Sequence, residues 1–270
     1  EKNRITDRWG MKFDINAPSG FFNYSHPLLG LLNDPSILNS FKAPSLDDMD
    51  NLFSLAMEEK KKYENKFLVM VNGYCGIFER AYNLVGFNEF MMMIALEPDL
   101  AGRLMDIITD YKIEIAKECV KRGFKMAHHG DDLGTQITTF FSVDIFRKLI
   151  KPRLKRLLSV YKDAGIPIQM HSCGNITSFI PDLIDIGLDV LEPVQPCMNI
   201  SFLKREYGKD LTFYGGIDTQ DLLPFQSPKK VREEVLRTID ILGHNGVLII
   251  APSQEIMPNV PVENVISMIE

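Results

Sequence analysis

Short apolar runs alternate with longer segments of helical periodicity from residue 45 to the end of this chain. Each run is short enough for a buried strand, and the segments between them are long enough for helices. The strands that this pattern predicts are 67–71, 125–128, 166–171, 189–192, 211–214 and 247–251. Strands that alternate with helices favour a parallel sheet, so the fold class is α/β.

The helix signals agree with this alternation. Ser45 is the predicted N-cap of the first regular helix, and a long helix follows Pro98. Pro152 lies inside the helix predicted for 142–164, which it should kink or split. Ser227 with Pro228, and later Pro261, mark the starts of two further helices. The remaining predicted helices are 177–186 and 201–207, and a strand or hairpin is predicted at 9–15.

The order of the elements predicts one domain over 1–270, with an irregular or hairpin entry region at 1–45 and regular cycles at 46–270. About six strand–helix cycles without a low-complexity linker favour a (β/α)8 TIM barrel over a doubly wound open sheet. Because the chain opens at Glu1 without a methionine, the N-terminal part of the barrel is expected to precede it.

Composition narrows the classes of partner. The formal net charge is −6 and no basic run stands out, which argues against nucleic acid. No stretch approaches the ~20 apolar residues of a membrane-spanning helix. The four cysteines lack the spacing of a disulfide framework, so a reducing, cytoplasmic setting is expected.

The segment His171-Ser172-Cys173-Gly174-Asn175 follows a predicted strand directly. In a parallel α/β protein the carboxyl ends of the strands carry the chemistry, and side chains two residues apart on an extended chain point the same way. An imidazole and a thiolate directed at one point suit zinc. A third ligand could come from Glu192, Cys197 or Gln254, of which Glu192 is chemically the best for zinc.

Polar side chains recur at the other predicted strand ends, where they would converge on one mouth. The candidates for catalysis or substrate positioning are Asp131, Asp132, Gln195, Tyr214, Asp218 and Gln254.

Several of these segments together resemble the uroporphyrinogen decarboxylase superfamily. They are 130–136, 171–175, 192–196, 214–218, 251–254 and 260–264, and the resemblance runs from about Asp7 to the C-terminus. It implies the (β/α)8 barrel. It also implies one of two activities, because one branch of the superfamily decarboxylates uroporphyrinogen and another moves methyl groups to or from a corrinoid.

The His-x-Cys segment resembles the zinc-dependent members of the methyltransferase branch. In those members a later cysteine completes the site, and Gln254 stands at that position here. The resemblance therefore implies either zinc held by His171, Cys173 and another ligand such as Glu192, or a site without zinc that binds its substrate by hydrogen bonds.

Three functions follow from these observations. The favoured one is methyl transfer between a small methylated donor or acceptor and a cobalamin on a separate corrinoid-binding protein. The second is metal-free decarboxylation of uroporphyrinogen or a related acid. Such a substrate needs arginine or lysine to hold its carboxylates, and the strand-end segments contain neither, which counts against this function. The third is a non-catalytic binding protein on the same fold. Since barrels of this kind often pair, a homodimer is the expected assembly.

Overall fold

The computed structural model describes residues 4–14, 24–71, 73, 75–245 and 248–270. These residues group into two compact units. One contains the described residues up to Met126 together with Asp144–Ile166, and the other contains Ala127–Val143 and Pro167–Glu270. The prediction of a single domain stays a prediction.

The first unit begins with a small antiparallel sheet. Its strands are β1 (Arg4–Thr6), β2 (Lys12–Asp14) and β3 (Tyr24–Ser25), in the order β1-β2-β3. Thr6 pairs with Lys12 across the β1–β2 turn. The strand predicted at 9–15 corresponds to β2, and Ile15 lies outside the described residues.

Helices make up most of the first unit. They are α1 (Ile37–Ser40), α2 (Met49–Tyr63), α3 (Ile77–Val85), α4 (Phe87–Leu96) and α5 (Pro98–Lys121). The predicted cap at Ser45 is wrong by three residues, because the Asp48 carboxylate accepts the N–H of Asn51 and caps α2 instead. The long helix predicted after Pro98 is confirmed as α5.

The predicted buried strand at 67–71 is wrong. In the described structure these residues have no strand partner, and the side chains of Phe67 and Leu68 are 64% and 59% exposed. A short apolar run carries no periodicity that separates a strand from an irregular segment, which is why the sequence pattern failed here.

The helix that contains Pro152 is interrupted, as predicted. Short helix α6 (Val143–Ile145) passes into a π-helical stretch at Phe146–Ile150, and α7 (Lys151–Asp163) follows with Pro152 in its first turn. Proline lacks the N–H that an α-helix interior uses but is tolerated in a first turn. Because α7 begins after the π-helical stretch, Pro152 lies in a first turn, where the absence of its backbone N–H costs little stability.

The second unit is built on a five-stranded parallel sheet in the order β4-β5-β6-β7-β8. The strands are β4 (Ala127–Gly130), β5 (Ile168–His171), β6 (Val190–Val194), β7 (Thr212–Ile217) and β8 (Leu248–Pro252). Each strand pairs with the next one in the chain. This sequential order is that of a barrel wall, whereas a doubly wound sheet reverses its order at a switch point.

Helices follow the strands in the same unit. A 3-10 turn at Thr177–Phe179 leads into α8 (Ile180–Asp185), and the later helices are α9 (Ile200–Tyr207), α10 (Leu222–Phe225), α11 (Pro228–Leu242) and α12 (Val262–Ile269). Ser227 caps α11 by accepting the N–H of Lys230, as predicted. Among the described helices, none combines the length and hydropathy that crossing a bilayer requires.

Candidate metal centre

The carboxyl ends of β4, β5, β6 and β8 carry the residues of the candidate site, all within the second unit. His171 is the last residue of β5, and Cys173 follows two residues later. Asp132 lies just past β4, while Glu192 belongs to β6. Parallel strands in register bring these ends together at one edge of the sheet.

The His171 ring has different neighbours at its two nitrogens. On the Nε2 side, the Cys173 Sγ lies at 3.5 Å and the Asp132 Oδ1 at 3.4 Å. On the Nδ1 side, the Glu192 Oε1 lies at 3.3 Å. One ring nitrogen therefore faces a thiol and a carboxylate, and the other faces a single carboxylate.

Asp132, His171 and Cys173 form a group of potential metal ligands. One donor atom from each lies within 4.8 Å of the others, and this is the only such group of three or more found among the described residues. The Asp132 Oδ1 also accepts the backbone N–H of Cys173 at 2.7 Å, which fixes the turn after β5 against the loop after β4.

Glu192 lies on the far side of His171 from this group. Its Oε2 accepts a 2.5 Å hydrogen bond from Gln169 Nε2 and lies 3.5 Å from His128 Nε2. Burial alone would raise the pKa of Glu192, but hydrogen bonds from His128, His171 and Gln169 outweigh it and hold the pKa well below its ordinary value. Glu192 is therefore an ionised acceptor shared by three donors.

The same contacts set the charge of His171. Burial works to lower its pKa, but hydrogen bonds with Asp132, Cys173 and Glu192 prevail and raise the pKa to about 12. Burial likewise works to raise the pKa of Asp132. The hydrogen bonds that Asp132 makes with His171 and with the Cys173 N–H outweigh burial and lower this pKa. The contacts with the two carboxylates therefore favour the protonated form of the His171 ring.

Two amide side chains also approach the Cys173 sulfur. Gln254 Nε2 lies 3.3 Å from Sγ, and Gln195 Nε2 lies 3.6 Å from it. Gln195 follows β6 directly and is 6% exposed. Gln254, which stands where the family resemblance places a cysteine, follows β8 by two residues and is exposed.

For the other three predicted site residues, the structure describes no contact with the Cys173 sulfur. Asp131 is fully buried, with its Oδ2 3.7 Å from His129 Nε2. Asp218 caps the turn into α10 by accepting the N–H groups of residues 220–222. Tyr214 lies in β7, where burial, followed by the charge of Glu192, raises its pKa. The roles predicted for these three residues stay predictions.

Sequence reasoning missed His128 and Gln169 as partners of Glu192. A usable signal exists, because Gln169 and His171 are polar residues two apart in a buried strand and so share one face. Gln169 is also directly opposite His128 in the register of β4 and β5.

Cys197 was another candidate ligand. The Cys197 carbonyl oxygen accepts a hydrogen bond from Asn175 Nδ2 at 3.3 Å, and burial raises the pKa of the Cys197 thiol.

The donor set fits zinc. An imidazole nitrogen, a thiolate and a carboxylate oxygen are the three kinds of protein ligand that zinc takes, and three of them leave a position open for a substrate. A histidine ligand that also contacts a carboxylate through its other nitrogen is the usual arrangement around such ions.

The fold and this site define a member of a known family. The family model for uroporphyrinogen decarboxylase (URO-D) matches residues 10–270, so the chain belongs to that family. The resemblance predicted from the motifs is thereby confirmed, together with the α/β fold class of the (β/α)8 type.

Two curated proteins to which this chain is similar are methyltransferases. The chain is 24% identical over 196 residues to a methylated-thiol–coenzyme M methyltransferase of Methanosarcina mazei, covering 70% of this chain and 50% of the relative. It is 21% identical over 200 residues to the methylcobamide:CoM methyltransferase MtaA of Methanosarcina barkeri, covering 74% and 56% respectively. The chain thus spans about half the length of these curated relatives.

A solved structure shows the same fold. A methyltransferase from Methanosarcina mazei superposes with a TM-score of 0.76 over 97% of this chain and 74% of the other, at 20% identity.

Proposed function

We propose that this protein transfers a methyl group between a small methylated substrate or acceptor and a corrinoid carried by a separate protein, at the carboxyl ends of β4–β8. The observation that carries the proposal is the group formed by Asp132, His171 and Cys173. The names of the curated relatives support it, since one is a methylated-thiol–coenzyme M methyltransferase and the other a methylcobamide:CoM methyltransferase.

The ligands proposed for zinc are His171 through Nε2, Cys173 through Sγ and Asp132 through a carboxylate oxygen. Glu192, the third ligand favoured by the sequence alone, lies on the Nδ1 side of His171. Its role in this proposal is to accept the Nδ1–H and so direct the Nε2 lone pair towards the ion. When bound, zinc acts as a Lewis acid that lowers the pKa of a thiol or alcohol placed in the open position.

The chain's own residues then hold and orient the reactants. Asp132 ties the turn of Cys173 to the loop after β4. Asp131, Tyr214 and Asp218 remain candidates for orienting polar groups of the substrate. The partner corrinoid protein, a homodimeric assembly and a cytoplasmic location belong to the same proposal.

Metal content of the purified protein, measured by mass spectrometry after zinc loading, tests this proposal first. We expect about one zinc per chain, lost in Cys173→Ser and in Asp132→Asn. Glu192→Gln should keep the zinc with about tenfold to hundredfold weaker affinity, because the orienting carboxylate is gone. Cys197→Ser is the matched control and should bind as the wild type does.

Activity is measured as loss of methylcobalamin absorbance in the presence of 2-mercaptoethanesulfonate (coenzyme M). The loaded wild type should demethylate methylcobalamin, and Cys173→Ser, checked for folding by circular dichroism, should not. A wild type that neither retains zinc nor consumes methylcobalamin contradicts the proposal.

Decarboxylation is the second candidate function, because the family is described as uroporphyrinogen decarboxylase. Release of carbon dioxide from uroporphyrinogen by the zinc-free protein would favour it over methyl transfer.

A further inference from the structure

Three hydrogen-bonding groups surround the sulfur of Cys173. His171 Nε2 lies at 3.5 Å, Gln254 Nε2 at 3.3 Å and Gln195 Nε2 at 3.6 Å from Sγ. The histidine nitrogen is a proposed zinc ligand, which leaves two amide N–H donors directed at the sulfur. Such contacts are within the reach of hydrogen bonds to sulfur, which are longer than those to oxygen.

The orientation of the Gln195 amide is fixed by its other contacts. Its Oε1 accepts the backbone N–H of Gly174 at 2.6 Å, and its Nε2 also lies 3.4 Å from the carbonyl oxygen of Ser253. A flipped amide would put N–H against N–H at Gly174 and oxygen against oxygen at Ser253. The N–H therefore has to face Cys173 and Ser253.

Gln254 is oriented in the same sense. Its Oε1 accepts the backbone N–H of Glu255 at 3.1 Å, so its Nε2 is the atom left to face the sulfur. The two amides differ in burial, because Gln195 is 6% exposed and Gln254 is exposed. Gln195 also joins the turns that follow β5, β6 and β8, whereas Gln254 contacts the sulfur from the solvent side.

We propose that Gln195 and Gln254 are positioning residues that donate N–H hydrogen bonds to the Cys173 sulfur and set its strength as a metal ligand. This inference rests on the proposed zinc site. A donor on a thiolate withdraws electron density from it, so the sulfur gives less charge to the ion. The ion is then a stronger Lewis acid towards the substrate, and the residue that replaces the family's later cysteine has a function of its own.

Cobalt(II), offered to the metal-free protein in place of zinc, gives the signature that tests this. Gln195→Glu keeps an oxygen for the Gly174 N–H but removes the N–H donor, and Gln254→Met removes the other donor at an exposed position. Each variant should move the sulfur-to-cobalt charge-transfer band to longer wavelength, because the sulfur then gives more charge to the ion. The double variant should move the band further than either single one.

Gln226→Met is the matched control. It replaces an exposed glutamine of the same unit that makes no described side-chain contact with the sulfur, and its band should coincide with that of the wild type. If Gln195→Glu and Gln254→Met also coincide with the wild type while remaining folded, the amides have no effect on the sulfur and the inference is wrong.

A wild type that binds no cobalt separates this inference from the proposed function, because the metal site then fails alone. The amide contacts are in that case read from the side-chain NH2 resonances of Gln195 and Gln254 in the metal-free protein. Cys173→Ala should shift both pairs of resonances, and the Cys197→Ala control should shift neither. Resonances unmoved by Cys173→Ala would overturn the inference.

Discussion

The turn at Gly174 gives the sharpest test of how the candidate site is built. Gly174 has φ of +88°, and a Cβ added there would lie 2.4 Å from the backbone carbon of Gly134, 2.6 Å from its oxygen and 2.7 Å from the nitrogen of Thr135. These are backbone atoms of the loop after β4, so no side-chain rotation can relieve the overlap. Two loops of the site approach so closely that only glycine fits.

Gly174→Ala should therefore cost stability twice. The left-handed conformation costs about 1–2 kcal/mol for a residue with a Cβ. The overlap with immovable backbone adds about 1–3 kcal/mol of overpacking. The sum, about 2–5 kcal/mol, is a large part of the ~5–15 kcal/mol by which a domain is stable. Urea unfolding followed by circular dichroism measures it.

Substitutions of two other glycines measure the conformational cost and the packing cost separately. Gly165 has φ of +68° with no atom within 4 Å of an added Cβ, so Gly165→Ala should cost only the conformational part, about 1–2 kcal/mol. At Gly134 the added Cβ would lie 3.0 Å from Ile176 Cγ2 and 3.1 Å from the Asn175 nitrogen, which predicts a small packing cost. A Gly174→Ala variant no less stable than Gly165→Ala would refute the close approach of the two loops.

Three further measurements follow from other contacts. Asn264 is 1% exposed and donates through Nδ2 to two carbonyl oxygens in α10 and just after it, both at 2.8 Å, so Asn264→Ala should destabilise the protein by about 1–3 kcal/mol in urea unfolding. Ser172→Ala should cost about 1–3 kcal/mol in the same assay, because the buried Ser172 Oγ is the acceptor for the N–H of Leu133 at 3.0 Å. Burial raises the pKa of Cys119 from 9.0 to about 11, so its neutral thiol contributes stability that is complete below pH 9 and is lost as the pH rises through about 11. Unfolding midpoints at pH 8 and pH 10.5 should therefore differ less in Cys119→Ala than in the wild type, and an equal difference would remove this explanation.

The juxtaposition of His171 and Cys173 could be predicted from the sequence, because it depends only on strand periodicity and on where the strand ends. His171 and Cys173 are two residues apart at the end of an apolar run, and that spacing alone puts their side chains near one point. Asp132 is not among the third ligands considered from the sequence, which are Glu192, Cys197 and Gln254, and its place beside Cys173 needed the structure. Glu192 is directly opposite His171 in the β5–β6 pairing, beside the Nδ1 of the ring, whereas Asp132 reaches Nε2 from the loop after β4.

The errors have a similar origin. The run at 67–71 has the composition of a strand, but strand formation requires a partner, and composition does not specify one. Ser45 and Asp48 are both good cap residues, and Ser45 instead donates its hydroxyl to Asp47. The cap was decided by which side chain accepts an N–H of the first turn, and Asp48 does so through the N–H of Asn51.

The separation of the donors along the chain would couple binding of the proposed metal ion to the stability of the fold. Asp132 and Cys173 are 41 residues apart, so an unfolded chain has no such group and an ion that binds there stabilises the folded state alone. At a free ion concentration one hundred times the Kd, mass action adds about 2.7 kcal/mol to the free energy of unfolding. If the proposed zinc site is correct, the supply of zinc in the cell would govern how much of this protein is folded and so protected from proteolysis.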